Sequence, residues 1–230
     1  MKITQQNFLR SFFVFTLAFG LAFYFSACVN VNQKTTLNSD GSGTIKLEYW
    51  AKMTNLESST ELGSFSFKEE TAKKNYTSSN SEVSNFKMED KLDDSTKHIY
   101  MDIKFKDFNN LTSAKGFEKT KASYKEGKDG KDFMFTLLQD TTNAKTMGSS
   151  DYKLTYTFEF PGEVLQTNGR KDGKSVVWEK TLADLKKDVD MTATVKDEGG
   201  KKCGLFGIEM PLIFALGMML ITRVNRKKKK

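Results

Sequence analysis

The chain has 230 residues, 36 Lys and Arg against 29 Asp and Glu, and a formal net charge of +7. Two cysteines and one histidine exclude a disulfide framework and a cysteine-based zinc site. The basic excess sits at the ends: without Lys2, Arg10, Lys201, Lys202, Arg223, Arg226, the four terminal lysines and Glu209, 26 basic and 28 acidic side chains remain over residues 28–200, a net −2. A nucleic-acid protein concentrates positive charge on its folded domain, so nucleic acid is excluded as a partner.

Residues 1–27 read as an export signal. Lys2 and Arg10 form a basic start, residues 12–25 are almost entirely apolar, and small residues follow. That apolar run of 14 residues falls short of the roughly 20 a permanent span needs. An uncleaved helix with an incidental cysteine is therefore disfavoured. The sequence Phe25-Ser26-Ala27-Cys28 resembles a bacterial lipobox, in which the cysteine is acylated and becomes the mature N-terminus. Phe25 stands where the common pattern has Leu, yet it is also too large for the small-x-small site of ordinary signal peptidase. The expectation is a lipid on Cys28.

Residues 28–198 are one domain's worth of chain. Alternating apolar and polar residues predict half-buried antiparallel strands at 44–50, 84–88, 99–106, 133–138, 152–160, 175–178 and 189–195. Asp40-Gly41, Asp129-Gly130, Asn168-Gly169 and Asp172-Gly173 supply turns, since Asp and Asn before Gly suit the positive φ of tight hairpins. Asp129-Gly130 is expected to join 122–126 to 133–138. Leu111, Ala114 and Phe117 at helical spacing predict a helix over 110–121, and a short helical turn is expected over 182–187. The Ser-, Thr-, Glu- and Lys-rich stretch 54–81 reads as a helix or a loop. The expected class is α+β, an antiparallel β-rich sheet packed with one or two helices.

Past a Gly/Cys hinge at 199–204, residues 205–222 form a second apolar stretch, and 223–230 are dominated by Arg and Lys. About 18 residues just suffice for one crossing, and the basic end would stay cytoplasmic. This predicts a single transmembrane helix with a short basic tail. The order of hinge, apolar span and basic end resembles bacterial C-terminal sorting tails in composition. Cys203 reads as a processing site, a second acylation site or a plain interfacial residue. Together the two ends place the domain on the extracytoplasmic side of a bacterial membrane, in reach of membrane lipids.

Chemistry is scarce between them. His98 falls on the polar face of a predicted strand and reads as solvent-facing rather than catalytic, since no nucleophile motif accompanies it. Asp40-Gly41-Ser42-Gly43 lacks the GK[ST] of a phosphate loop, and Glu89-Asp90 with Asp93-Asp94 lacks EF-hand spacing. No catalytic, cofactor or metal residues are assigned. The aromatic stripe of Phe105, Phe117, Phe133, Phe135, Phe158 and Phe160 predicts either an ordinary core or the wall of an apolar pocket.

One segment is more specific: Phe158-Glu159-Phe160-Pro161-Gly162-Glu163-Val164, then Asn168-Gly169, then Val176-Val177-Trp178. With Thr36-Leu37-Asn38 and Asp40-Gly41-Ser42-Gly43 after Cys28, it resembles the LppM family of bacterial lipoproteins. The resemblance implies an extracytoplasmic α+β domain similar to lipid-binding or lipid-transfer folds, with affinity for membrane glycolipids. It carries over no binding residues. Three functions follow as alternatives. A tethered lipid-binding module requires an apolar cavity larger than packing defects leave. An envelope interaction protein requires a filled core and an exposed apolar patch. An envelope enzyme requires clustered titratable groups in a cleft.

Overall fold

The computed structural model describes residues 29–139 and 152–197. The chain enters as β1 (Asn30–Leu37) and returns as β2 (Gly43–Lys52). A 3-10 turn (Met53–Leu56), the small hairpin β3 (Glu61–Leu62) and β4 (Phe65–Ser66), and helix α1 (Glu69–Tyr76) follow. Strands β5 (Ser81–Lys91) and β6 (Thr96–Phe105) lead into two 3-10 turns, Phe108–Ser113 and Lys115–Phe117. The hairpin β7 (Thr120–Glu126) and β8 (Lys131–Leu137) precedes β9 (Lys153–Glu159), β10 (Val164–Thr167) and β11 (Arg170–Asp172). Last come β12 (Ser175–Thr181), a 3-10 turn (Leu182–Lys186) and β13 (Val189–Val195).

Two sheets face each other. One has seven strands in the order β11-β12-β9-β1-β2-β6-β5, the other four in the order β10-β13-β8-β7. Pairing is antiparallel except between β1 and β9, which run parallel with Val31 opposite Leu154. The period of two explains the layering: Phe133 and Phe135 on β8 point inward, as do Tyr156 and Phe158 on β9. Their rings close the gap between sheets, with Phe133 4.6 Å from Phe158 and 6.0 Å from Trp178 between ring centroids. Phe108 adds a further layer, 5.3 Å from Phe133. Sheet edges are guarded by charge: β11 reads Arg170-Lys171-Asp172, and β5 carries a bulge between Ser84 and Lys87.

The seven expected strands and the 122–126 to 133–138 hairpin are present. Gly41, at the Asp40-Gly41 turn between β1 and β2, adopts φ +85°, a conformation that suits glycine. Strand β1 was not evident from pattern, because its inward positions are Val31, Gln33, Thr35 and Leu37. Gln33 and Thr35 are buried polar side chains joined to each other, the Gln33 amide donating to the Thr35 hydroxyl at 3.0 Å.

The α+β expectation is corrected to a fold that is mostly β. Among the described residues the α-helical element is eight residues long, and it arises in the 54–81 stretch. Residues 110–121 form no α-helix. Their chain makes two 3-10 turns broken by extended Ala114 (φ −96°, ψ 133°) and enters β7 at Thr120. The apolar spacing of three at Leu111, Ala114 and Phe117 matches the three residues per turn of a 3-10 helix better than 3.6. Gly116 shows why the turn is tight: a Cβ there would stand 2.3 Å from the Tyr76 ring. No helix among the described residues is long and apolar enough to cross a membrane, and the span expected at 205–222 lies outside them.

Phe158 is fully buried and touches Phe108, Phe133, Phe135, Phe160 and Trp178. Phe158→Ala is expected to lower the unfolding free energy by about 3–5 kcal/mol. Denaturant unfolding followed by near-UV circular dichroism checks this, and a loss below 1 kcal/mol would contradict the role given to this ring.

Candidate functional site

The aromatic layer fills only part of the space between the sheets. Beyond Phe135 the inward residues on the same strands become Leu137 on β8, Leu154 on β9 and Val31 on β1. They surround a cavity of about 470 Å³. Its other walls are the β3–β4 hairpin through Leu62 and Phe65, Tyr76 at the end of α1, Phe117, and Leu182 and Leu185 from the last 3-10 turn. The volume falls within the roughly 300–1,000 Å³ of small-molecule sites. Exposed Glu118, Lys119 and Gln139 stand on its lining toward solvent.

Register explains its polar groups. Gln33 on β1 lies opposite Leu47 on β2 and opposite Tyr156 on β9, so the three form one row across the sheet, at the level where the rings end. Tyr76 and Tyr156 are 2% and 7% exposed, and their hydroxyls make no hydrogen bond among the described residues. Burial pushes both phenols well above the usual tyrosine range, so they are neutral donors at any ordinary pH. Gln33 uses its amide NH₂ on Thr35 and keeps its carbonyl oxygen as an acceptor. An apolar chamber with a few uncharged hydrogen-bonding groups suits an acyl chain bearing a neutral polar group. It does not suit a buried ion.

Two carboxylates hold the rim. Asp184 accepts from the Thr181 backbone N–H at 2.7 Å and from its hydroxyl at 2.9 Å, tying down the turn that carries Leu182 and Leu185. Asp188 accepts from the Gln139 backbone N–H at 2.8 Å, and Lys121 lies 3.5 Å from it. The Thr181 amide foremost holds Asp184 below its ordinary 3.8, and the Gln139 amide does the same for Asp188.

His98 lies away from this cavity, on the opposite face of the large sheet. The expectation of a solvent-facing side chain is corrected: His98 is 4% exposed. Trp50 on the neighbouring strand stacks over it at 5.2 Å with a 4° interplanar angle, and Tyr100 flanks it at 5.8 Å. Its Nδ1 is 2.9 Å from Glu48 Oε1 and its Nε2 2.9 Å from the Thr96 hydroxyl. That wiring superficially matches a hydroxyl–imidazole–carboxylate triad. However, Thr96 turns its one proton to Asp94, 2.5 Å away, and is buried, so it offers no nucleophile. Asp94 in turn is held below 3.8, chiefly by that hydroxyl. The cluster is a structural clamp between β2 and β6. Cys28 lies outside the described residues. Among the described residues, the large exposed apolar side chains are Met88 on β5, Leu92 in the β5–β6 turn, Met134 on β8 and Leu165 on β10.

Because Asp184 and Asp188 titrate lower when folded than unfolded, their contribution is complete above pH 3.8 and fades as pH falls through the lowered folded values. Asp184→Asn/Asp188→Asn is expected to melt below wild type at pH 7, with a gap that shrinks on acidification. Thermal unfolding at pH 7 and below 3.8 checks this. A gap that stayed constant with pH would rule out these carboxylates as the rim's acid-sensitive fasteners.

Comparison with known proteins agrees with the sequence resemblance. The LppM domain matches residues 42–197, more than half of the chain. The solved NMR structure of the folded domain of the Mycobacterium tuberculosis LppM protein is similar at 15% identity and a TM-score of 0.44, over 74% of this chain and 90% of that one. No curated protein matches the chain. By the extent of that domain match, the chain belongs to the LppM domain family.

Proposed function

We propose that this protein is a non-catalytic bacterial envelope lipoprotein, held on the extracytoplasmic side of the membrane by a lipid on Cys28, whose domain takes a lipid or similar apolar molecule between its two sheets. The observation that carries the reading is the cavity of about 470 Å³ beyond Phe135, walled by aliphatic side chains and provided with the neutral polar groups of Gln33 and Tyr156. Membership of the LppM domain family supports it. A packed-core interaction protein would leave no such space and would gather its exposed apolar side chains into a patch. The ligand class is an acyl lipid with an uncharged hydrogen-bonding group near the start of its chain, such as a glycolipid or a neutral ester. Membrane lipids are the partners this reading names.

The test fills the chamber from within. Leu154 is 5% exposed and lines the cavity, so the larger side chain of Leu154→Trp takes up part of its volume. The full chain extracted in mild detergent is expected to retain a lipid that solvent extraction and mass spectrometry identify, and Leu154→Trp is expected to lose it while keeping the near-UV signal of a folded core. Equal lipid in both proteins would overturn the reading. The anchor is tested separately: labelled palmitate should enter the full chain and not Cys28→Ala, and equal labelling of the two would remove Cys28 as the lipidated residue.

A further inference from the structure

The cavity reaches solvent between two segments, residues 115–121 and 180–188, which supply Lys119, Leu182 and Leu185 to its lining. Together they hold six lysines against Glu118, Asp184 and Asp188, a net +3. The rest of residues 28–200 has 20 basic and 25 acidic side chains, a net −5. Of the six lysines, only Lys121 is in an ion pair among the described residues, with Asp188 at 3.5 Å. Lys115, Lys119, Lys186 and Lys187 are exposed, and Lys180, near the end of β12, lies opposite Leu154 of the cavity wall. The Gln139 side-chain amide donates to the Lys186 carbonyl at 2.8 Å, which holds the 182–186 turn against the lining. Leu138, Leu182 and Leu185 are half-buried lining residues at the same opening.

We infer that this lysine-ringed opening is the face with which the domain docks on a membrane surface bearing anionic headgroups. The inference goes beyond the proposed function, since it needs a bilayer within reach of the domain but no lipid inside the cavity. Charge selects an acidic partner. A positive opening on an otherwise acidic domain is drawn to an anionic surface while the remainder is repelled, which turns the opening toward that surface. Leucine selects the bilayer over an acidic protein or polymer. A membrane interface presents anionic groups outside and hydrocarbon just beneath them, so one approach satisfies both the lysines and the half-buried leucines. The lysine stems extend the apolar contact while their ammonium groups stay among the headgroups. Screening confines the attraction to about 8 Å at physiological salt, so it acts only once the opening faces the surface. Docked in this way, the cavity opens onto the headgroups, and a lipid entering it need not cross water.

The test uses the full chain transferred from detergent into vesicles of phosphatidylcholine alone or of phosphatidylcholine with phosphatidylglycerol. An uncharged acetylating reagent labels exposed lysines, and mass spectrometry of the digested protein reads the rate at each position. Lys115, Lys119, Lys186 and Lys187 are expected to label at least about fivefold more slowly on the anionic vesicles, the preference one lysine gains near such a surface. Lys46 and Lys104, exposed on the outward side of β2 and β6, are expected to label equally on both. High salt should erase the difference, as the screening length falls to about 3 Å. In Lys119→Gln/Lys186→Gln/Lys187→Gln the protection of Lys115 should fall to the neutral-vesicle level, with near-UV circular dichroism verifying the fold. Equal labelling of the opening on the two vesicles would overturn the inference, as would equal slowing at Lys46 and Lys104. Soluble polyglutamate that protected these lysines on neutral vesicles as fully as phosphatidylglycerol does would assign the face to an acidic protein and overturn the membrane as its partner. Leu154→Trp separates docking from the proposed function, since it is expected to lose co-purified lipid yet keep the protected lysines. Protection lost together with the lipid would overturn docking as a property of this surface.

Discussion

The contact between the Phe133 and Phe158 rings sets how far apart the two sheets stand, and the rest of the molecule follows from that distance. Each ring is on a hydrogen-bonded central strand, and each is covered by further rings: Phe108 and Phe160 beside Phe133, Trp178 beside both. Close-packed aromatic layers do not compress. The strands that carry them continue past Phe135 and Tyr156 without a change of spacing, because the ladders β8–β13 and β1–β9 run on in register. What changes is the size of the inward side chains. Valine and leucine replace phenylalanine, and the sheets are too stiff to close over the difference.

The magnitude of that difference matters. A sealed void of 470 Å³ would cost about 11 kcal/mol at about 24 cal/mol per Å³, comparable to the entire stability of an ordinary domain. A chain of this size cannot keep such a void closed and unfilled. Its wall instead includes the exposed residues Glu118, Lys119 and Gln139, and the rim is fastened by surface carboxylates rather than by core packing. Fastenings of that kind are weak individually.

The aromatic half of this architecture was legible in the sequence because alternation over 133–138 and 152–160 reports directly on which face is buried. The cavity was not, since alternation registers that Leu137 and Leu154 point inward but not whether anything meets them. Strand β1 is hidden from periodicity for a related reason: its inward set includes Gln33 and Thr35, whose burial is made tolerable by a hydrogen bond between them that no periodicity displays. The helix expected over 110–121 failed on a spacing of three, which fits two helical geometries, and the choice between them depended on the Tyr76 ring lying against Gly116. His98 lies on the face that alternation assigns it, yet it is buried there. Trp50, on a different strand, covers it, and only the β2–β6 register puts the two residues opposite each other. In each case the missing information was a cross-strand or cross-sheet neighbour.

That same cross-strand information bears on selectivity. Transfer of an acyl chain from water is worth about 0.8 kcal/mol per CH₂, but a chain arriving from a bilayer has already gained this, and the term cancels between membrane and cavity. On the proposed lipid-binding reading, what would remain to distinguish one lipid from another is the row formed by Gln33, Leu47 and Tyr156. A donor that a ligand covers without pairing costs about 1–3 kcal/mol, so a bare hydrocarbon over the Tyr156 hydroxyl would incur a penalty that a ligand presenting an acceptor there avoids. An ionised carboxylate would gain that hydrogen bond but lose far more in desolvation, because the cations nearest the chamber, such as Lys119, are out at its exposed rim. If the chamber holds lipid as proposed, its neutral polar groups at the depth where the aromatic layer stops, rather than hydrocarbon burial, are what can rank one acyl lipid above another.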